Sequence, residues 1–378
     1  MIRTCLPPTF PGLRHFAVKQ IPVPGYQKVV TVDDRLSGLQ TIIAIHSTKL
    51  GPALGGLRIL PYPTFDAALT DVTRLAQGMS HKSALAGIGL GGGKSVIISE
   101  PKKVTPEMLK VYAAFVNTLK GEYIAAEDSG STMEMIDFIG QHTRYVTGLS
   151  HAKSSGNPSP FTAWGVFRGI QATCQLLHGT DSVAGKTVAI QGAGSVGASL
   201  AELLFWHGAR LVVADTDAAK TAAIAKKYGA ISCPPEDIHK QQCDILAPCA
   251  LGATLNPQTI PELQCKAVAG CANNQLLTPS DAETLQKRGI LYAPDFAINA
   301  GGIINISFEL NPIGYRPTDA RNAVDRIYHT VRQIFTRNGQ TGSTTHRTAV
   351  DLAEHRMEMG EGKRTTPPTF HHDTVITL

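Results

Sequence analysis

The chain has 378 residues, room for about two or three domains, and is 43% hydrophobic but only 17% charged, against about 25% charged in an average soluble domain. That balance excludes a disordered or coiled-coil protein. The net charge is +5, and the basic pairs Lys102-Lys103, Lys226-Lys227 and Lys363-Arg364 read as solvated surface, so nothing points to a nucleic-acid partner.

Seven cysteines occur without a CxxC spacing. That argues against a disulfide frame or a zinc site and for reduced thiols in a cytoplasmic protein with no metal. The start of the chain lacks the continuous apolar stretch of a secretory signal. No run of about 18 apolar residues predicts a membrane span.

The first 20 or so residues form a proline-rich arm. YQKVVTVDD and LQTIIAIHS, separated by Ser37-Gly38, predict a hairpin. GPALGGLRILPYPTF is dense in Gly and Pro and reads as a loop. Phe65, Leu69, Val72, Leu75 and Met79 recur at helical spacing and predict a helix over 65–79. GIGLGGGKSVIIS is a glycine-rich approach to a short strand. A helix over 106–119, the strand EYIAA and a short helix over 133–139 follow.

SSGNPSP, at 154–160, is a boundary, and a long helix over 161–177 leads out of it. Strands and helices then alternate. KTVAIQ, RLVVAD, CDILAP and KAVAG are strands; SVGASLAELLFWHG and AAKTAAIAKKYG are helices. Such alternation predicts βαβ units on a parallel sheet. Helices return from Asn299, and the last 20 or so residues read as a frayed tail.

VAIQGAGSVG carries Gly192, Gly194 and Gly197 in G-x-G-x-x-G order between a strand and a helix, the context that dinucleotide binding requires. The first glycine permits the tight turn, the second lets backbone approach a pyrophosphate, and the third lets helix and strand pack closely. Asp215 ends the next strand, 18 residues past Gly197. A carboxylate there accepts ribose hydroxyls and repels a 2′-phosphate, which favours NAD over NADP. Asp217 reads as a helix N-cap.

Lys82 and Lys94 flank a glycine-rich stretch poor in charge. A dehydrated lysine loses its proton more easily, and a second cation pushes the same way. One lysine could then act as a general base while the other holds an anion. Two surface lysines flanking a strand would give the same pattern. Asp128 in AAEDSG is an acid candidate or a helix cap.

These segments, with IIAIHSTKLGPALGGLR, LAQGMSHKSALAGIGLGGGKSVII, YIAAEDSG, SSGNPSPFTAWGVFRG, CDILAPCALGATLN, VAGCANNQL and GILYAPDFAINAGGIINI, resemble the family of glutamate, leucine, valine and phenylalanine dehydrogenases. The likeness spans residues 26–310 and is strongest to the leucine-specific branch. It implies an α/β fold of two domains: a substrate domain, a Rossmann-type NAD domain, and C-terminal helices that return to the first. The corresponding boundaries are 1–150, 151–310 and 311–378. The implied reaction is oxidative deamination of an amino acid to the 2-oxo acid in the cleft between the domains, with NAD as hydride acceptor, in a homo-oligomer.

The resemblance also assigns roles. Lys94 is the general base that activates water, and Asp128 handles protons at the amino nitrogen. Lys82 binds the substrate carboxylate with Asn274. Thr162 meets the nicotinamide carboxamide, Ala250 and Gly252 back the ring, and Asn273 lies near its ribose. Leu54, Ala126, Ile303 and Ile306 match the side-chain pocket. Glutamate dehydrogenases carry a lysine at the position of Leu54, so a side-chain carboxylate would be buried unpaired here. The pocket predicts leucine, valine or isoleucine. An aromatic amino-acid dehydrogenase acting on phenylalanine or tryptophan is the alternative substrate reading. A catalytically silent NAD-binding regulator is an alternative of another class. His81 stands where the family has tyrosine, as a packing change or as a charge beside Lys82. Cys249 is read as a packing cysteine.

Overall fold

The computed structural model describes residues 16–150, 154–250 and 252–372. Residues 1–15 of the proline-rich arm lie outside the described residues. The chain forms two compact units. The first comprises the chain as far as Gly156, Ile306–Pro317 and Ala353 onward; the second comprises Asn157–Asn305 and Thr318–Leu352.

The first unit is built on a six-stranded sheet. Its elements are β1 (Val18–Gln20), β2 (Lys28–Asp34), β3 (Leu39–Ser47), β4 (Ala53–Leu60), α1 (Phe65–Ala86), β5 (Gly91–Ile98), α2 (Pro106–Thr118), β6 (Tyr123–Glu127) and α3 (Met133–Gly140). The strand order is β1-β2-β3-β5-β4-β6. β1, β2, β3 and β5 pair antiparallel in turn, while β5, β4 and β6 run parallel. The hairpin forms as its sequence predicts, with Gly38 left-handed at φ 79°.

The GPALGGLRIL segment is not a loop. Its residues 53–60 are β4, inside the sheet between β5 and β6. Glycine inside a strand marks close approach of another backbone, and that is its role here. A Cβ on Gly55 would overlap the Gly93 carbonyl oxygen, and one on Gly56 would lie 2.6 Å from the Asp128 Cβ. The helix over 65–79 continues to Ala86. It stops where Gly87 turns left-handed at φ 63° and donates its N–H to Ser83 and Ala84.

The sheet has two covered faces, because successive side chains alternate. Val30, Val32, Leu39, Ile43, Ala53, Leu57, Ile97 and Tyr123 pack against α2 and α3 residues such as Leu109, Phe115, Ile136 and Ile139. Val29, Ile42, Ala44 and Val96 pack on the other side against Ala68, Val72 and Ala76 of α1. Thr64 and Thr105 start α1 and α2 by accepting the backbone N–H of Ala67 and Met108, the usual N-cap bond.

The second unit contains α4 (Ser159–His178), β7 (Thr187–Gln191), α5 (Ser195–Trp206), β8 (Arg210–Ala214), α6 (Ala218–Tyr228), β9 (Ile231–Ser232), β10 (Cys243–Pro248), β11 (Cys265–Val268), α7 (Asp281–Lys287), β12 (Leu291–Tyr292) and α8 (Asp295–Ile298). α9 (Gly301–Ser307), α10 (Pro317–Val324), α11 (Arg326–Thr341) and α12 (Thr345–Met359) follow. The sheet is wholly parallel in the order β12-β11-β10-β7-β8-β9. Counted in chain order this is 3-2-1-4-5-6, the doubly wound arrangement whose ligands bind where the order reverses, between β7 and β10. The two-residue edge strands β9 and β12 are too short to show a period in sequence.

The tail is not frayed over its described part. The Arg364 N–H donates to Leu50 O at 2.8 Å and its guanidinium Nε to Gly89 O at 3.3 Å, while the Thr369 N–H reaches Leu310 O at 3.1 Å. Phe370 meets the Tyr145 ring edge-on at 5.7 Å. Backbone groups of the first unit thus hold a segment that has no hydrophobic period of its own. Glu309, 8% exposed, serves the same unit. Its carboxylate accepts from Thr147 Oγ1 (2.6 Å), Gly148 N (2.9 Å), Ser154 Oγ (3.1 Å) and Ser155 N (2.7 Å).

Candidate active site

In the first unit the register brings Leu54, Gly56 and Arg58 of β4 onto one face with Gly92, Lys94 and Val96 of β5 and Ile124 and Ala126 of β6. Asp128 follows just beyond β6. The Lys94 ammonium is 2.8 Å from Asp128 Oδ2, and Arg58 Nε is 3.0 Å from the same oxygen. Arg58 also reaches Asp71 of α1 at 3.1 Å, and the Tyr62 hydroxyl donates to that Asp71 oxygen at 2.5 Å. Leu54 and Ala126 are 2% and 6% exposed, so apolar side chains flank the charged group.

The electrostatics are opposed. Lys94 is only 4% exposed. Burial pushes its ammonium below the ordinary lysine value; Asp128 resists this and Arg58 adds to it. Burial also pushes the Asp128 carboxyl up, but Lys94 and Arg58 together hold it below its ordinary value. The result is a carboxylate kept ionised beside an amine that releases its proton readily, the pairing that general-base chemistry requires.

Asp128 is not the cap of α3. Thr132 takes that place, accepting the Met135 N–H. Gly92 clears space for α1, since a Cβ there would overlap the Ser80 backbone. Lys82 is half-buried in α1, eleven residues after Asp71. That is about three turns, so both lie on one flank of the helix. His81 is 7% exposed, with Nε2 3.9 Å from Glu354 and its ring edge-on to His46. It is therefore a packed residue.

Sequence reasoning missed Arg58, Asp71 and Tyr62. A loop has no facing period, so Arg58 could not be placed. As a strand, LGGLR alternates Leu54, Gly56, Arg58 toward one side and places a half-buried charge on it.

In the second unit the glycine turn leaves β7. Gly192 has φ 103°, and a Cβ there would lie 2.9 Å from Ala250 N and Cβ. Gly197 lies so close beneath that a Cβ would overlap the Gly192 carbonyl oxygen, while Gly194 opens onto free space and caps α5. Free N–H groups at that helix end suit an anion. Asp215 Oδ2 accepts the Ala193 N–H at 2.6 Å, and its Oδ1 accepts the Asp217 N–H at 2.8 Å. These bonds hold its carboxyl below the ordinary value. Asp217 caps α6 through Ala219 N. These residues fit a dinucleotide.

Asn273, Asn274 and Gly252 cluster. A Cβ on Gly252 would lie 2.8 Å from Asn274 O, and Asn274 has φ 51°. Asn299 donates to Asn273 Oδ1 at 2.8 Å, a support not foreseen in the sequence. Thr162 sits near the start of α4 against Gly302, whose Cβ would lie 2.8 Å from its Oγ1. Ile303 and Ile306 are both on α9, Ile303 within the second unit and Ile306 within the first. Ile306 Cδ1 lies beside Gly148.

Among the described residues no group of three or more His, Cys, Asp or Glu side chains could hold a metal ion. No described helix is long and apolar enough to cross a membrane.

Comparison with known proteins is consistent with both halves. The family model described as Glu/Leu/Phe/Val dehydrogenase, dimerisation domain, matches residues 26–145, and the Glutamate/Leucine/Phenylalanine/Valine dehydrogenase model matches residues 215–357. The chain is 46% identical over 335 residues to leucine dehydrogenase of Bacillus subtilis, covering 88% of this chain and 92% of that one. It is 42% identical over 334 residues to L-tryptophan dehydrogenase of Nostoc punctiforme, covering 88% and 94%. The crystal structure of L-tryptophan dehydrogenase from Nostoc punctiforme superposes with a TM-score of 0.80 at 41% identity, covering 89% of this chain and 97% of that one. The hetero-hexameric glutamate dehydrogenase of Thermus thermophilus shares the fold, with a TM-score of 0.72 at 24% identity over 93% and 90% of the two chains. With the lysine–aspartate pair and the glycine turn both in place, the chain belongs to the glutamate/leucine/phenylalanine/valine family of NAD(P)-dependent amino-acid dehydrogenases.

Proposed function

We propose that the protein catalyses the reversible oxidative deamination of leucine, valine or isoleucine to the 2-oxo acid with NAD. The observation that carries this reading is Lys94, buried 2.8 Å from Asp128 on a sheet face shared with Leu54 and Ala126. Asp128 takes or returns a proton at the amino nitrogen. Lys94, in its neutral form, removes a proton from the water that adds to the imino carbon. Arg58 keeps Asp128 ionised until it takes that proton. Leu54 leaves a side-chain carboxylate without a partner, which disfavours glutamate.

NAD, when bound, supplies the hydride acceptor. Gly192, Gly194 and the start of α5 would hold its pyrophosphate, and Asp215 its ribose. Asp215 carries the preference over NADP, because its charge repels a 2′-phosphate. We assign Lys82 to the substrate carboxylate, and Thr162, Ala250, Gly252, Asn273 and Asn274 to the second unit's ligand face. The reading implies a cytoplasmic homo-oligomer, which sedimentation would test.

The deciding experiment is NADH formation with a panel of amino acids and both dinucleotides. Leucine, valine and isoleucine with NAD should lead. Faster turnover of tryptophan or phenylalanine would replace the aliphatic assignment, and no turnover of any amino acid would refute the reading.

A further inference from the structure

Two pairs of cysteines share one register in the second unit. Cys243 pairs with Cys265 where β10 and β11 begin. Cys249 and Cys271 each lie six residues further along the chain, just past the ends of the same strands. There the Cys249 thiol is hydrogen-bonded by the side chain and backbone of Cys271. The strand ends are held together by the Ala272 N–H on Pro248 O at 2.9 Å.

The two pairs differ chemically. Cys243 and Cys265 are each 7% exposed, and burial pushes their thiols up to about 12 and about 11. Cys249 and Cys271 are partly exposed. Hydrogen bonding from Cys271 pulls the Cys249 thiol below its ordinary value against the opposing effect of burial. The thiolate is the nucleophile, so only the second pair is set up to react.

Its position gives that reaction a consequence. Cys249 precedes Ala250 and Gly252, and Cys271 precedes Asn273 and Asn274. A Cβ on Gly192 would lie 2.9 Å from the Cys249 carbonyl carbon, and one on Gly197 would lie 3.5 Å from the Cys249 Cβ. Cys249 therefore abuts the glycine turn.

We propose that Cys249 and Cys271 form a redox modification site at the dinucleotide edge of the second unit, which a peroxide converts to a disulfide that weakens dinucleotide binding. The Cys249 thiolate attacks one peroxide oxygen. The O–O bond breaks, and hydroxide leaves to become water by taking up a proton, giving Cys249 sulfenic acid. The Cys271 thiol attacks that sulfur; the S–S bond forms, the S–O bond breaks, and the departing oxygen leaves as a second water. Two thiols are oxidised and one peroxide is reduced. The new bond ties Cys249 to the segment leading into Asn273 and Asn274 and draws Ala250 from its seat against Gly192. The second effect rests on the dinucleotide reading above; the first does not.

The test treats the full-length reduced protein with hydrogen peroxide, maps peptides without reductant, and titrates NADH by fluorescence. The expected result is one cross-link joining the Cys249 and Cys271 peptides. NADH affinity should fall about tenfold and return with dithiothreitol. Cys271→Ser should bind NADH normally before oxidation, form no link, and leave Cys249 as a sulfenic acid trapped by dimedone. A link between Cys243 and Cys265 instead, or no link at all, overturns the site. Unchanged NADH affinity in the linked protein overturns its consequence. Reduced protein that binds no NADH overturns that consequence together with the dinucleotide reading, while the peptide map still decides the link.

Discussion

Replacing Arg58 by methionine removes a guanidinium that touches both Asp128 and Asp71. At 3.0 Å and an effective dielectric constant of roughly 20, the attraction to Asp128 is about 5 kcal/mol before solvent is considered. The two side chains are 18% and 22% exposed, so screening and residual hydration reduce it to about 2 kcal/mol. At about 1.4 kcal/mol per unit, the Asp128 carboxyl should rise by about 1.5 units. Lys94 shares the same Asp128 oxygen, and Arg58 lowers it. Loss of the guanidinium therefore raises Lys94 too, by somewhat less. Both shifts run the same way, because a positive charge lowers every neighbouring group. The acid limb of kcat/KM for leucine should move about one pH unit upward, and turnover near neutrality should fall about tenfold. Arg58→Lys keeps the charge and should keep most of the limb in place. The assay is NADH formation across pH, with circular dichroism to confirm folding. A folded Arg58→Met protein whose limb stays put, or moves to lower pH, refutes the coupling.

Other perturbations separate chemistry from stability. Lys94 lies below its ordinary value and is the proposed base, so Lys94→Met should lose turnover while circular dichroism shows it folded; retained turnover removes Lys94 as base. Asp215→Ser should weaken NAD and raise the NADP-to-NAD preference about tenfold, and an unchanged ratio in initial rates counts against the ribose role. Ending the chain at Gly362 removes the Arg364 and Thr369 bonds to Leu50, Gly89 and Leu310. At about 1 kcal/mol per bond, it should cost about 2–3 kcal/mol in urea unfolding, and an unshifted midpoint would mean the tail adds nothing.

The parallel sheet of the second unit was readable because KTVAIQ, RLVVAD and CDILAP are apolar runs set between glycine turns and helices. Lys94 and Asp128 were readable as candidates through their glycine-rich and apolar settings. What joins them was not. Arg58 lies in a segment whose glycines read as a turn, yet those glycines exist so that β4 can press against β5 and β6. Local pattern reports flexibility there, and only the neighbouring backbones turn it into a strand. Asp71, Tyr62, Asn299 and Glu309 act through partners from nine to more than 150 residues away, so no local period carries them. The tail escaped for the same reason, since it is held by backbone bonds rather than by a hydrophobic stripe.

Glu309 binds four donors between Thr147 and Ser155, but the ribosome delivers it more than 150 residues after the last of them. At about 5–20 residues per second, the segment waits roughly ten to thirty seconds for its anchor. A nascent chain halted anywhere in that interval carries the whole first sheet with this corner untied. Truncation or gene fusion at Gly156 would make that transient state permanent.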